Sequence, residues 1–388
     1  MTPGQWLGLL GGGQLGRMFC HAAQAMGYRV MVLDPDLEGP AASVADKHLC
    51  AAYDDAQALD QLADHCQAFT TEFENVPAKS LAILARRGHV APGARAVEIA
   101  QDRMVEKTFI QSLGVQVAPH IAVNTLKDLD HVPSSLFPGI LKASRLGYDG
   151  KGQVRVASLK QAKHAYIDHL DQVAAVLEGM VPFVEEISVV LARGRDGQCV
   201  VFPPARNVHH HGILAVSHIR GQPSKVYEQA VASAQTIAEG LGYHGVLCVE
   251  FFVLADGQVV VNEIAPRPHN SGHYTQNACV TSQFEQQVRA MAGLPLGSTE
   301  LLAPCVMLNI LGDVWYPYDT DERVEPDWAS VLAIPNVSLH LYGKKEARPS
   351  RKMGHINVVD QNFAKAVDRA NEVVEILNLP IRASLSSH

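Results

Sequence analysis

Glu250 and Glu263 stand in two apolar runs, Val246–Leu254 and Val259–Ile264, on either side of Asp256-Gly257. Asp-Gly is a strong two-residue hairpin turn signal. Centring the turn there sets Glu250 directly opposite Glu263, with Cβ atoms roughly 5 Å apart. Like charges facing each other among Val249, Phe251, Phe252, Val261 and Ile264 repel, and a cation relieves them. Carboxylate oxygens near phosphate point to Mg²⁺, with Mn²⁺ as a substitute. A second signal is Lys142, ending an apolar run, followed by Gly147-Tyr148-Asp149-Gly150-Lys151-Gly152-Gln153. Such a glycine-rich stretch suits a flap whose amides cover phosphates. It does not match the Walker pattern, because Lys151 precedes Gly152.

Two further strings hold donors. Ala265-Pro266-Arg267-Pro268-His269-Asn270-Ser271-Gly272-His273 directly follows Glu263, and its Arg267 and Asn270 suit a small transferred anion. Lys344-Lys345-Glu346-Ala347-Arg348-Pro349-Ser350-Arg351-Lys352 carries five cations and one anion, either a solvated loop or a phosphate-monoester site. Near the start, Gly11-Gly12-Gly13-Gln14-Leu15-Gly16 fits G-x-G-x-x-G, with Asp34 ending the next strand. That is a dinucleotide fingerprint. The physics requires only an anion at a helix N-terminus, so NAD does not follow from it. His209-His210-His211 cannot all ligate one ion, since neighbours on a strand point to opposite faces.

These residues need elements to hold them. Up to about residue 87 the chain alternates strands and helices: Trp6–Leu10, Gln14–Met26, Tyr28–Leu33, His48–Ala52, Ala56–His65, Ala68–Thr71 and Pro77–Arg87. This alternation predicts a doubly wound parallel sheet. A helix at Asp102–Leu113 opens a small α+β unit with the glycine flap in its middle. Strands in hairpin order follow from Ile187, and a helix at Asn362–Leu377 closes the chain. The expected units are 1–105, 106–183 and 184–388.

The 388 residues carry a net charge of −8, 47% apolar, 19% charged and 6% aromatic residues. This excludes a disordered chain, and it argues against nucleic acid as the main partner. No stretch approaches a membrane span. Seven scattered cysteines without C-x-x-C read as core residues of a reducing, cytoplasmic compartment.

In this order the motifs resemble the ATP-grasp superfamily, and within it the 5-(carboxyamino)imidazole ribonucleotide synthases. The resemblance rests on GGGQLGRM at Gly11–Met18, EFENV at Glu72–Val76 and GYDGKGQ at Gly147–Gln153. It continues with NVHHHGIL at Asn207–Leu214, EIAPRPHNSGHYTQ at Glu263–Gln276 and RPSRKMGH at Arg348–His355. It implies an ATP-grasp fold: an N-terminal doubly wound domain, a small lid domain and a C-terminal mixed-sheet domain. Two positions depart from common patterns. Leu146 stands where the family often has Gly, and Ala265 stands where many ATP-grasp enzymes carry a metal-ligating Asn.

The implied substrates are ATP, bicarbonate and 5-aminoimidazole ribonucleotide, with neither NAD nor biotin. The implied assembly is a homodimer. By this resemblance Arg103, Lys142, Gly147, Tyr148, Asp149, Gly150, Lys151, Gly152, Gln153, Glu178, Val181, Glu186, His209 and Asn262 hold ATP, and Glu250 and Glu263 hold the metal. Gly12, Gly13, Gln14, Leu15, Glu74, Tyr148, Asp149, Lys344, Lys345, Arg348 and Arg351 hold the ribonucleotide. Arg267, His269, Asn270 and Lys142 carry the chemistry. Open alternatives are a sister ligase such as formate-dependent glycinamide ribonucleotide transformylase, a biotin carboxylase, a nicotinamide dehydrogenase and a non-catalytic nucleotide sensor.

Overall fold

The computed structural model describes residues 1–145, 152–317 and 322–381. The first sheet is parallel, in the order Lys47–Leu49, Arg29–Leu33, Trp6–Leu10, Ala68–Thr71, His89–Val90. Its strands are apolar on both faces, as a doubly wound sheet requires. Leu7, Leu9, Val30 and Val32 pack with Met18 and Phe19 of the helix Gln14–Ala25. Leu10, Met31, Leu33 and Phe69 pack on the other side with Leu59 and Leu62 of Ala56–His65 and Leu81 of Ala78–Leu84.

The second sheet runs His120–Val123, Ala175–Gly179, Gly139–Ala143, Gln153–Val156, all antiparallel. Gly139–Ala143 and Gln153–Val156 form the hairpin that leads into and out of the glycine stretch, with Lys142 paired to Gln153. Ala143 N donates to Gly152 O at 2.8 Å.

The third sheet holds nine strands. Val259–Ala265 lies at one edge, followed by Gly245–Leu254 and Phe183–Arg193, and Lys352–Val359 and Val337–Leu341 end the other side. Its strand pairs are antiparallel, while a parallel bridge between Val117 and Val261 extends the first edge.

The helix Gln283–Ala292 joins the first and third sheets. Its Phe284, Val288 and Met291 enter the core of the parallel sheet. Buried Gln287 donates to Thr70 Oγ1 and Ala91 O at 3.0 and 2.8 Å, and accepts from Val246 N at 2.7 Å. One amide thereby satisfies backbone groups of both units, which fixes their mutual position.

Candidate functional site

The hairpin does bring Glu250 opposite Glu263, but by another route than the turn predicted. The loop is Ala255-Asp256-Gly257, with Leu254 N donating to Gln258 O at 2.9 Å and Gly257 in the left-handed region at φ +83°. A three-residue loop of this kind shifts the register by one. A bulge between Val261 and Glu263 shifts it back, because Asn262 is the extra residue. The two errors cancel, and the carboxylates face each other. Asn262 Nδ2 lies 3.5 Å from Glu250 Oε2.

The helix Arg103–Ser112, capped by Asp102, grips that bulge with three side chains spaced along one face. Arg103 Nη1 pairs with Glu263 Oε2 at 3.0 Å. Buried Lys107 donates to Asn262 O at 3.3 Å, and buried Glu106 accepts from Ile264 N at 3.0 Å. Sequence reading missed Glu106 and Lys107. Their only signal was two adjacent charges on an otherwise amphipathic helix.

Burial pushes the Glu106 carboxyl up to about 8, against the opposing charge of Lys107. A carboxyl protonated in the fold but ionised when unfolded loses its contribution as pH rises from about 4.5 through 8. Glu106→Gln keeps the acceptor for Ile264 and removes the titration. Its melting temperature relative to the parent should therefore climb by roughly 5 °C between pH 6 and pH 8.5. A difference that stays constant across that range contradicts the assignment.

Next to the bulge lies a buried cation cluster. Lys142 Nζ sits 2.9 Å and Lys107 Nζ 3.2 Å from the two oxygens of Glu178. Burial alone would raise the Glu178 carboxyl, but Lys142 and Lys107 hold it down to about 2. Burial also lowers Lys142, and Lys107 and Arg103 push in the same direction while Glu178 opposes them. Three cations, Lys142, Lys107 and Arg103, against the two carboxylates of Glu178 and Glu263 leave an excess of positive charge, which suits phosphate.

Across the sheet, His209 Nδ1 bonds Glu186. Burial disfavours its imidazolium, but Glu186 outweighs burial and raises the pKa. Glu250 is pushed up to about 7 by burial and by the charge of Glu263. Two such oxygens with an adjacent amide are a hard donor set, so the residues fit a divalent cation.

Arg267 is half-buried and pairs through Nε with Glu74 Oε2 at 2.6 Å. Burial opposes both charges, yet each holds the other ionised: Arg267 is raised and Glu74 lowered. Ser271 N donates to His269 Nδ1 at 3.3 Å, which leaves the proton on Nε2, 3.4 Å from Glu250 Oε1. Burial and the charges of Arg267 and Lys352 keep this imidazole neutral. Asn270 is buried beside it, and neither its Nδ2 nor its Oδ1 has a partner among the described residues. Lys352 is a third residue that sequence reading left out of the site. It begins the strand Lys352–Val359, and its charge acts on Glu74, Glu250 and His269.

The glycine loop holds a surprise for the phosphate reading. Gly12 N donates to Asp34 Oδ2 at 2.6 Å, Gly13 N to Glu72 Oε1, and Gly16 N to Glu72 Oε2 at 2.8 Å. A Cβ at Gly12 would lie 2.8 Å from Asp34 Cγ, and one at Gly13 would strike the Glu72 carboxylate. The glycines admit the chain's own carboxylates to this helix end. Among the described residues the amides of Gln14 and Leu15 have no acceptor, so an external anion would meet those two.

Three family models match the chain. They are the Ribonucleotide synthetase preATP-grasp domain at 5–101, the ATP-grasp domain at 108–284 and the Phosphoribosylaminoimidazole carboxylase C-terminal domain at 305–369. The N5-carboxyaminoimidazole ribonucleotide synthase of Brucella melitensis biotype 1 is 47% identical over 363 residues, covering 92% of this chain and 96% of its own. The chain belongs to the N5-carboxyaminoimidazole ribonucleotide synthase family. The enzyme of that name from Bacillus subtilis is 41% identical over 361 residues, covering 92% of both. Among solved structures, an ADP complex of an N5-carboxyaminoimidazole ribonucleotide synthetase matches with TM-score 0.89 and 40% identity over 97% of this chain and 98% of its own. The Aspergillus clavatus synthase with ADP and 5-aminoimidazole ribonucleotide matches with TM-score 0.87 and 30% identity over 97% and 100%.

Many residues expected from the N5-carboxyaminoimidazole ribonucleotide synthase family gather in one cluster. Arg103, Lys142, Glu178, Glu250, Asn262, Glu263, Arg267, His269 and Asn270 are brought together as described. Glu178 turns its carboxylate toward Lys142 and Lys107. Val181 lies just before Phe183, which stacks on Phe252 at 4.6 Å. Gly152 and Gln153 end the flap, while Gly147, Tyr148, Asp149, Gly150 and Lys151 lie outside the described residues.

The basic loop sits against the glycine-loop helix. A Cβ at Gly343 would lie 3.1 Å from Arg17 Nη1, and Lys345 pairs with Glu38. Of the doubled lysines, Lys344 is half-buried over the Tyr342 ring and donates to Lys352 O at 2.6 Å, while Lys345 is exposed. Arg351 Nη1 donates to Glu346 O at 2.9 Å. Arg348 is 68% exposed and pairs with Glu346.

Proposed function

We propose that the chain carboxylates 5-aminoimidazole ribonucleotide on its exocyclic amine, using ATP and bicarbonate, and releases ADP and phosphate. The Glu74–Arg267 pair carries this reading. It ties the loop after the parallel strand Ala68–Thr71 to the string that follows Glu263, which joins the ribonucleotide side to the phosphate side.

A bicarbonate oxygen attacks the γ-phosphorus and ADP leaves, giving carboxyphosphate. Lys142 and Arg103 offset charge on the transferring phosphoryl group. Glu250 and Glu263 would hold Mg²⁺, which would supply neutralisation of the phosphate charge. Arg267 and Lys352 hold the anionic carboxyl, and His269 presents its Nε2–H. Asn270 adds two unspent polar atoms to the same pocket. The amine then attacks the carbonyl carbon, the C–O bond to phosphate breaks, and the amine proton is released with phosphate. Lys344 and Arg351 bind the 5′-phosphate beside the amides of Gln14 and Leu15. Glu186 and His209 face the nucleotide ribose.

The chain works in the cytoplasm as a homodimer. Seven free cysteines support a reducing compartment, and family resemblance supports the dimer. Among the described residues no helix is long and apolar enough to cross a membrane.

Bicarbonate labelled with ¹⁸O tests the chemistry. Attack through oxygen places one labelled oxygen in the released phosphate, whereas unlabelled phosphate contradicts a carboxyphosphate route.

A further inference from the structure

Behind the site, three imidazoles stack in a column. His273 and His355 have ring centroids 4.5 Å apart at 26°, and His355 and His340 4.4 Å apart at 12°. His273 and His355 are fully buried. The three come from different segments. His273 belongs to the string that carries Arg267, His269 and Asn270. His340 lies in the strand Val337–Leu341, and His355 pairs with it from Lys352–Val359. The basic loop with Lys344 and Arg351 connects those two strands.

Hydrogen bonds define each ring's setting. Gln283 takes His269 N–H on Oε1 and donates Nε2 to His269 O, both at 2.8 Å, so its amide orientation is fixed. The same Nε2 reaches His273 Nδ1 at 3.2 Å, which must then be an acceptor with the proton on Nε2. Asn357 Nδ2 donates to His273 O at 3.1 Å and to Asn277 Oδ1 at 2.8 Å. Asn277 Oδ1 is therefore an acceptor, and His340 Nε2, 2.8 Å away, carries a proton toward it. Tyr342 OH meets His355 Nδ1 at 3.0 Å. Burial and the neighbouring rings keep His273 and His355 well below the usual imidazole range, so the column stays neutral.

Apolar side chains would fill this space with less exacting partners. The Nε2 atoms of His273 and His355 are buried without a partner among the described residues, a cost that simple packing does not require. Flat rings with edge-on hydrogen bonds specify distance and rotation together.

We propose that His273, His355 and His340 are positioning residues: their stack sets the string carrying Arg267 at a fixed distance from the basic loop that holds the ribonucleotide phosphate. This rests on the carboxylase reading for its substrate and on the stack alone for its mechanics. A displacement of about 1 Å between reacting groups is enough to cost about 100-fold in rate.

The test uses the full chain carrying His355→Ala and, as a milder change, Tyr342→Phe, which removes only the hydroxyl bonded to His355. The expected result is a tenfold or larger rise in KM for 5-aminoimidazole ribonucleotide in His355→Ala, and a two- to fivefold rise in Tyr342→Phe. KM for ATP should stay within twofold in both. Hydrogen exchange should quicken in peptides covering 268–277 and 343–351 in both variants, whatever the substrate proves to be. Lower melting temperature with unchanged exchange in those peptides, or an unchanged ribonucleotide KM in a parent that does turn it over, would overturn the proposal. A parent that ignores the ribonucleotide while the variants still loosen those peptides refutes the carboxylase reading and keeps the positioning role.

Discussion

Glu263→Ala should lower kcat by a factor on the order of 10³ while shifting the melting temperature by only about 2 °C. The Glu263 side chain is 41% exposed toward the cleft, and its ion pair is the one with Arg103. Deleting it exposes no core, and Arg103 still has the charge of Glu178 beside it, so the fold is little affected. It also removes one of the two carboxylates whose mutual repulsion calls for a cation. A titration of ADP with and without Mg²⁺ separates the roles. The parent should bind ADP more tightly with the metal present, and the variant should lose that preference while retaining ADP alone. Near-parental turnover, or an intact metal preference, contradicts the metal role of this hairpin.

Arg267→Lys should lower kcat on the order of 10²-fold or more, and Arg267→Ala should in addition destabilise the protein by about 3–5 kcal/mol. Arg267 is largely shielded from solvent, 16% exposed, and its fork serves Glu74 Oε2 at 2.6 Å and Pro268 O at 3.2 Å. Lysine keeps the charge but cannot hold two directions at once. Alanine leaves the Glu74 carboxylate without its cation in a buried site. The deficit should appear as a raised KM for bicarbonate together with reduced kcat, with KM for ATP little changed. A variant whose only change is in ATP affinity would move Arg267 out of the carboxyl pocket.

Much of the fold was legible because the apolar periodicity was clean. The helix Ala56–His65 and the strands Trp6–Leu10 and Ala68–Thr71 stand where the residue pattern puts them. Gln283–Ala292 was not read, because its buried face carries Gln283, Gln286 and Gln287, whose amides serve backbone groups of neighbouring segments. Only tertiary structure explains glutamine in a core. The strand Lys352–Val359 likewise buries polar residues, His355 and Asn357.

The site shows the same limits. Glu250 and Glu263 were paired correctly through a turn that does not exist, since a bulge at Asn262 cannot be seen in composition. The glycine loop was read as an open anion cradle, yet Asp34 and Glu72 already occupy three of its amides. Short-range patterns locate glycines, and they do not say which distant side chain will fill the space. Glu106 and Lys107 escaped notice because a charged pair on a helix usually faces solvent, whereas here both are buried against the bulge.

The central claim is that one cleft couples ATP cleavage to carboxylation of an aminoimidazole ribonucleotide. Phosphate release from Mg·ATP and bicarbonate, measured with and without 5-aminoimidazole ribonucleotide, tests it most directly. The account predicts release that depends on the ribonucleotide and matches its consumption one for one. Release that ignores the ribonucleotide, or that responds instead to formate and glycinamide ribonucleotide, would contradict it.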